Sequence, residues 1–204
     1  MKKAAQYRLD NAKKIFRQHG GVLRMSKAID SGINRHTLYS MLDAGIVERL
    51  SRGLYRLADL PPLGNPDLTT VALKIPDGVF CLISALAFHQ ITTQIPHEIY
   101  VALARDSRPP RLEYPPIRTF WFAQKAFSVG IETHEVDGVS LRVYSPEKTV
   151  ADCFKYRNRI GIDVALEALK LYRERKQLDV TQVIYFARVC RVEKVMRPYL
   201  EALL

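Results

Sequence analysis

SGINRHTLYSMLDAGIVERLSRGLYRL, residues Ser31 to Leu57, places a polar turn, an amphipathic run and a basic glycine-containing segment directly one after another. Asn34 is a good N-cap, because its short side chain can accept from a free backbone N–H of the first turn. Ala44-Gly45 supplies the stop, since glycine tolerates the left-handed backbone that ends helices. Between them Leu38, Met41 and Leu42, with Ile33 packing from before the cap, form an inward stripe at helical spacing. Arg35, His36, Tyr39 and Ser40 fall on the other faces, and Asn34 and Thr37 lie near the N-terminal end. Val47 to Leu50 and Leu54 to Leu57 then read as two short strands joined at Ser51-Arg52-Gly53.

A helix that reads DNA needs one face to anchor it and another to reach the major groove, where base edges carry a distinguishable pattern. An ordinary amphipathic surface helix has the same composition. The hairpin separates the two, because Arg49, Arg52 and Arg56 are spread over its strands and tip, where a wing lays cations along phosphates. The expected DNA-binding set is therefore Asn34, Arg35, His36, Thr37, Tyr39, Ser40, Arg49, Ser51, Arg52 and Arg56. Tyr55 serves equally well as a phosphate contact or as core.

Upstream, Ala12, Ile15 and Phe16 at helical spacing predict an opening helix that ends at His19-Gly20-Gly21. A short second helix follows, either capped by Ser26 over Lys27 to Asp30 or beginning near Leu23. Downstream, ADLPPLGNPD, Ala58 to Asp67, holds three prolines and a glycine and marks the domain seam. The expected division is a winged helix-turn-helix over 1–60 and a second domain over 61–204. Charge supports it. Of the net +10, residues 1–60 carry 12 Lys or Arg against 5 Asp or Glu. A localised cationic surface attracts a polyanion by counterion release, and nucleic acid is the commonest one.

Beyond the seam, DLTTVALKI reads as a helix ended by Pro76-Asp77-Gly78. Val79 to Ile91 is unbroken apolar sequence, which fits a buried helix and equally a strand. HEIYVALA and IRTFWFA read as strands around a proline-rich loop, and Asp137-Gly138 centres a second hairpin. From Ser145, with Pro146 at the first helical position, helices dominate. The fold class expected is α+β: a winged helix-turn-helix, then a mixed α/β domain ending in several helices.

Catalytic candidates are weak. Strand alternation splits Glu132 and His134 from Glu135 and Asp137, which leaves a polar strand in place of a metal cluster. His89 ends an apolar run and reads as a core or capping histidine. Cys81, Cys153 and Cys190 are far apart and read as buried reduced thiols. No phosphate-binding glycine loop or dinucleotide fingerprint is present. No catalytic residue, metal or cofactor is expected. One ionic cluster stands out, around PEKTVADCFKYRNR. Lys148, Asp152 and Lys155 fall close to one helix face, with Tyr156, Arg157 and Arg159 following. A solvated helix with i,i+4 charge pairing gives the same pattern. If the second domain contacts a partner, these are the residues expected to do so.

DAGIVERLSRGLYRL, Asp43 to Leu57, together with SPEKTVADCFKYRNRIGIDVALEAL, Ser145 to Leu169, resembles the AbiEi family of antitoxins and transcriptional regulators of type IV toxin–antitoxin, abortive-infection systems. The resemblance covers nearly the whole chain, in the family's domain order. It implies an N-terminal winged helix that represses its own operon. It also implies a C-terminal domain that counters a nucleotidyltransferase-like toxin without requiring a stable complex, its surface here expected at Lys148, Asp152, Lys155, Tyr156, Arg157 and Arg159. Double-stranded DNA of its own promoter is the expected partner, with the protein a monomer or weak dimer. Two other functions fit the residues alone: a nucleic-acid-processing enzyme with a DNA-targeting winged helix, and an RNA-binding or protein-interaction module. No uncharged apolar run approaches the roughly 18 residues of a membrane span, and charges occupy the start where a signal peptide is apolar. A cytoplasmic protein is expected.

Overall fold

The computed structural model describes residues 2–175 and 178–203, with side chains from residue 6. The chain divides into two compact units, one of residues 1–76 with 135–140, the other of 77–134 with 141–204.

The first unit runs α1 (Lys2–Gln18), β1 (Val22–Arg24), α2 (Met25–Asp30), α3 (Arg35–Asp43), β2 (Val47–Ser51), β3 (Leu54–Leu57) and α4 (Pro66–Lys74). Its three strands are ordered β1-β3-β2 and antiparallel, so the expected two-stranded hairpin is the outer part of a three-stranded sheet. β1 occupies the place where the second helix was expected to begin. Arg24 is the N-cap residue of α2 and makes no side-chain cap bond, and Ser26 lies inside the helix instead of capping it. The core gathers Ala12 and Phe16 from α1, Leu23 from β1, Ile33, Leu38 and Met41 around α3, and Val47, Tyr55 and Leu57 from the sheet. Asn34 caps α3 as expected, accepting from the Thr37 N–H at 2.7 Å. The proline-rich seam lies inside this unit, and α4 begins at its end with Asn65 as cap.

The second unit holds β4 (Val79–Phe80), α5 (Leu82–Phe88), β5 (Ile99–Ala104), β6 (Ile117–Phe122), α6 (Gln124–Phe127), β7 (Ile131–Val136) and β8 (Val139–Tyr144). Helices α7 (Pro146–Lys155), α8 (Arg157–Ile160), α9 (Ile162–Arg175), α10 (Val180–Val189) and α11 (Glu193–Leu203) follow. The sheet order is β6-β5-β4-β8-β7; β5 and β6 are parallel, and β4 is antiparallel to β5 and parallel to β8. The apolar run Val79 to Ile91 is thus a strand and then a helix, divided where Leu82 takes a positive φ of 47°. The tip of the β7–β8 turn, Glu135–Ser140, belongs to the first unit. Together these units make the α+β fold expected, a winged helix-turn-helix followed by a mixed domain ending in helices.

At the centre of the second unit is α7. Ser145 Oγ accepts from the Lys148 N–H, and Pro146 takes the first position. Its residues from Pro146 to Phe154 are buried except Glu147, and it packs against α5, α9 and α10. His89 is buried at the end of α5, donating from Nε2 to the Tyr144 carbonyl at 2.7 Å. The three cysteines are buried free thiols. No described helix is long and apolar enough to cross a membrane.

Candidate nucleic-acid interface

α3 presents a continuous exposed stripe. Arg35 and Tyr39, and His36 and Ser40, are i,i+4 pairs opposite the buried Leu38 and Met41. Arg35, His36 and Asn34 are exposed, Tyr39 is 48% exposed and Ser40 is half-buried. No acidic residue occupies the first turn, so the positive end of the helix dipole is not neutralised there. Asp43, exposed in the last turn of the same stripe, repels phosphate and confines any contact to the N-terminal part.

In the wing, Arg49 pairs with Tyr55 across β2 and β3. The Tyr55 hydroxyl titrates above its usual range, raised first by burial and then by Tyr39, while Arg49 pulls it down. α3 packs against β2, which carries the exposed Arg49, with exposed Arg52 at the tip. Gly53, at φ 71°, makes the turn possible, and its carbonyl accepts from the Met25 N–H at 2.9 Å, fastening the tip to the start of α2.

Two members of the expected set are buried and a third, Ser51, has its hydroxyl enclosed. Arg56 is the clearest correction: its side chain is 6% exposed. It donates to Glu48 Oε1 at 2.8 Å and to the Pro61 carbonyl. β3 is the middle strand of three and all four of its residues are buried; Leu60, Pro62 and Leu63 of the proline-rich segment line a recess with Arg56. Thr37 is buried because it sits one turn before Met41 on the inward side of α3. Ser51 is half-buried, and its hydroxyl oxygen is enclosed without a hydrogen-bond partner.

In the second unit, the expected ionic surface divides in the same way. Lys148 and Asp152 are fully buried, with Nζ 2.5 Å from Oδ2, the ammonium 4.2 Å from the Tyr144 ring centre, and Asp152 Oδ1 accepting from the Cys190 thiol at 3.1 Å. They are core residues because α7 is surrounded by other helices. Burial raises the Asp152 pKa, while Lys148 opposes that shift. Burial also pushes the Cys81 and Cys153 thiols well up, which leaves them unreactive. Lys155, Tyr156 and Arg157 are half-buried and Arg159 is exposed. Tyr156 donates to the Trp121 carbonyl at 3.3 Å, Arg157 donates to the Phe154 carbonyl at 2.9 Å, and the Arg159 guanidinium lies 4.5 Å from the Phe120 ring centre.

Sequence reasoning missed a second basic feature. Arg105, Lys125, Arg188 and Arg191, with Lys155, line one cavity of about 800 Å³ in the second unit. They come from four separate segments, so no local pattern announces them.

Residues 12–58 match the family described as transcriptional regulator, AbiEi antitoxin, a span that covers α3 and the whole wing. No curated relative matches the sequence. Among solved structures, the RV2827C protein from Mycobacterium tuberculosis superposes with a TM-score of 0.51 over 93% of this chain and 79% of that one. At 12% identity that likeness is one of fold. The similarity to the AbiEi antitoxin family of transcriptional regulators therefore lies in residues 12–58, which hold α3 and the wing.

Proposed function

We propose that the protein binds double-stranded DNA upstream of its own gene, represses that operon, and acts as the antitoxin to a nucleotidyltransferase-like toxin. It works in the cytoplasm as a regulator and not as an enzyme, as a monomer or weak dimer that pairs on adjacent half-sites. The observation that carries the DNA reading is the packing of α3, with its exposed stripe, against β2 of the wing, which carries exposed Arg49. The contact set is Asn34, Arg35, His36, Tyr39 and Ser40 from α3 with Arg49 and Arg52 from the wing. The antitoxin part rests on the family resemblance, and the side chains left at the surface for it are Lys155, Tyr156, Arg157 and Arg159.

The test is fluorescence anisotropy on the protein's own upstream DNA across a salt series. Arg35→Ala, Arg49→Ala and Arg52→Ala should each weaken binding. Where the arginine neutralises one phosphate, its removal should flatten the slope of log K against log salt by about 0.9. Unaltered affinity in all three variants would remove the proposed surface. For the antitoxin part, co-expression with the neighbouring nucleotidyltransferase-like gene should restore growth, and Arg159→Ala should reduce the rescue.

A further inference from the structure

We propose that the cavity at the carboxyl ends of β5 and β6, into which Arg105, Lys125, Lys155, Arg188 and Arg191 converge, is a binding site for a free nucleoside polyphosphate. The proposal concerns the second unit alone and does not depend on the DNA reading.

Topology comes first. β5 and β6 are a parallel pair, and their neighbour β4 runs against β5. Arg105 immediately follows β5, while Ala123 and Lys125 immediately follow β6. In open α/β sheets the region beyond the carboxyl ends of parallel strands is where ligands are received. The cavity's volume of about 800 Å³ lies within the range of small-molecule sites, roughly 300–1,000 Å³.

Charge comes second. None of the residues lining the cavity is acidic. Arg188 is held by Glu193, at 2.9 and 3.3 Å, but among the described residues Arg105, Lys125, Lys155 and Arg191 make no salt bridge. Cations facing a common recess repel one another, and a polyanion relieves that repulsion. The favourable interaction of cations with helix carboxyl ends accounts for Arg188 and Lys155, which end α10 and α7. It does not account for Arg105, which follows a strand.

The third observation is the backbone of Arg191, at a φ of 61° just past the end of α10. That left-handed position after a helix normally takes glycine, because any side chain there is strained. An arginine held in such a conformation on the wall of a cationic cavity points to a use for its side chain. Tyr185, 49% exposed on the same wall, adds an aromatic face on which a base can stack. The geometry also separates this site from a duplex groove. A duplex is met by cations strung along a ridge, whereas these five line a single recess.

The test is calorimetric titration of the full-length protein with ATP, GTP and inorganic tripolyphosphate, and with 5′-phosphorylated single-stranded and duplex oligonucleotides in parallel. A nucleoside triphosphate should bind saturably and more tightly than tripolyphosphate, and Tyr185→Ala should abolish that preference. Arg191→Gly and Lys125→Ala should each weaken nucleotide binding by about tenfold or more. Arg191→Gly should melt no lower than the wild type, since glycine suits that backbone, so weaker binding cannot be ascribed to unfolding. The proposal is overturned if no nucleotide binds, if both cavity variants bind like the wild type, if tripolyphosphate matches the nucleotides, or if only the oligonucleotides bind.

Discussion

Arg49 and Arg56 lie on paired strands of one small sheet, yet one faces solvent and the other is enclosed with Glu48 and the Pro61 carbonyl. The Arg56→Ala variant should therefore lose about 1–3 kcal/mol of stability to urea, because the charge-assisted hydrogen bonds of the enclosed guanidinium to Glu48 and the Pro61 carbonyl are lost. Its salt slope for DNA should stay that of the wild type, which sets it apart from Arg49→Ala. Asn34→Ala should cost about 1 kcal/mol by removing the cap of α3. In the second unit, Lys148→Met should cost about 3–5 kcal/mol by stranding Asp152, while Lys148→Met combined with Asp152→Leu should recover most of that loss. Composition made the buried Arg56, Lys148 and Asp152 look like surface. What the sequence could not display is that β1 makes β3 a central strand and that helices surround α7, since both are contacts between distant segments.

At the scale of elements, most of the framework was legible because its signals are local. Asn34 and Gly45 bracket α3, Asp137-Gly138 turns the second hairpin, and Ser145-Pro146 opens α7. β1 was not legible. Three residues after a glycine pair acquire strand character only through Val22, Leu23 and Arg24 pairing with Arg56, Tyr55 and Leu54. The division between β4 and α5 was hidden for another reason, since the apolar run continues across a reversal made by Leu82, a residue with no turn preference. A further link between elements carries a pH signature. Glu167 of α9 accepts from the Thr92 hydroxyl at 2.9 Å and from the Thr93 hydroxyl, and the Thr93 bond is the main cause of its lowered pKa. A lowered carboxylate value contributes stability above the ordinary 4.5 and loses it as the pH falls through the folded-state value. Urea midpoints of the wild type and Thr93→Val should thus differ at neutral pH and draw together in acid.

At the scale of the whole molecule, the chain is interleaved, with residues 135–140 serving the unit built mainly from residues 1–76. Asp137 accepts from the Gly64 and Asn65 N–H groups, each at 3.1 Å, just ahead of α4. Gly20 lies so close to the Gly138 carbonyl that a Cβ there would come within 2.6 Å of its oxygen. Asp137→Ala should cost the first unit about 1–2 kcal/mol. Amide exchange should speed up around α4 and the wing and stay unchanged in α7, and faster exchange in α7 would contradict the division into units.

The borrowed hairpin tip also sets a schedule for biosynthesis. A ribosome adding about 5–20 residues per second needs about 3 to 12 s to travel from position 76 to position 135. Throughout that interval the nascent wing and α4 lack the Asp137 acceptor, so the first unit reaches its final stability only after much of the second unit has been translated.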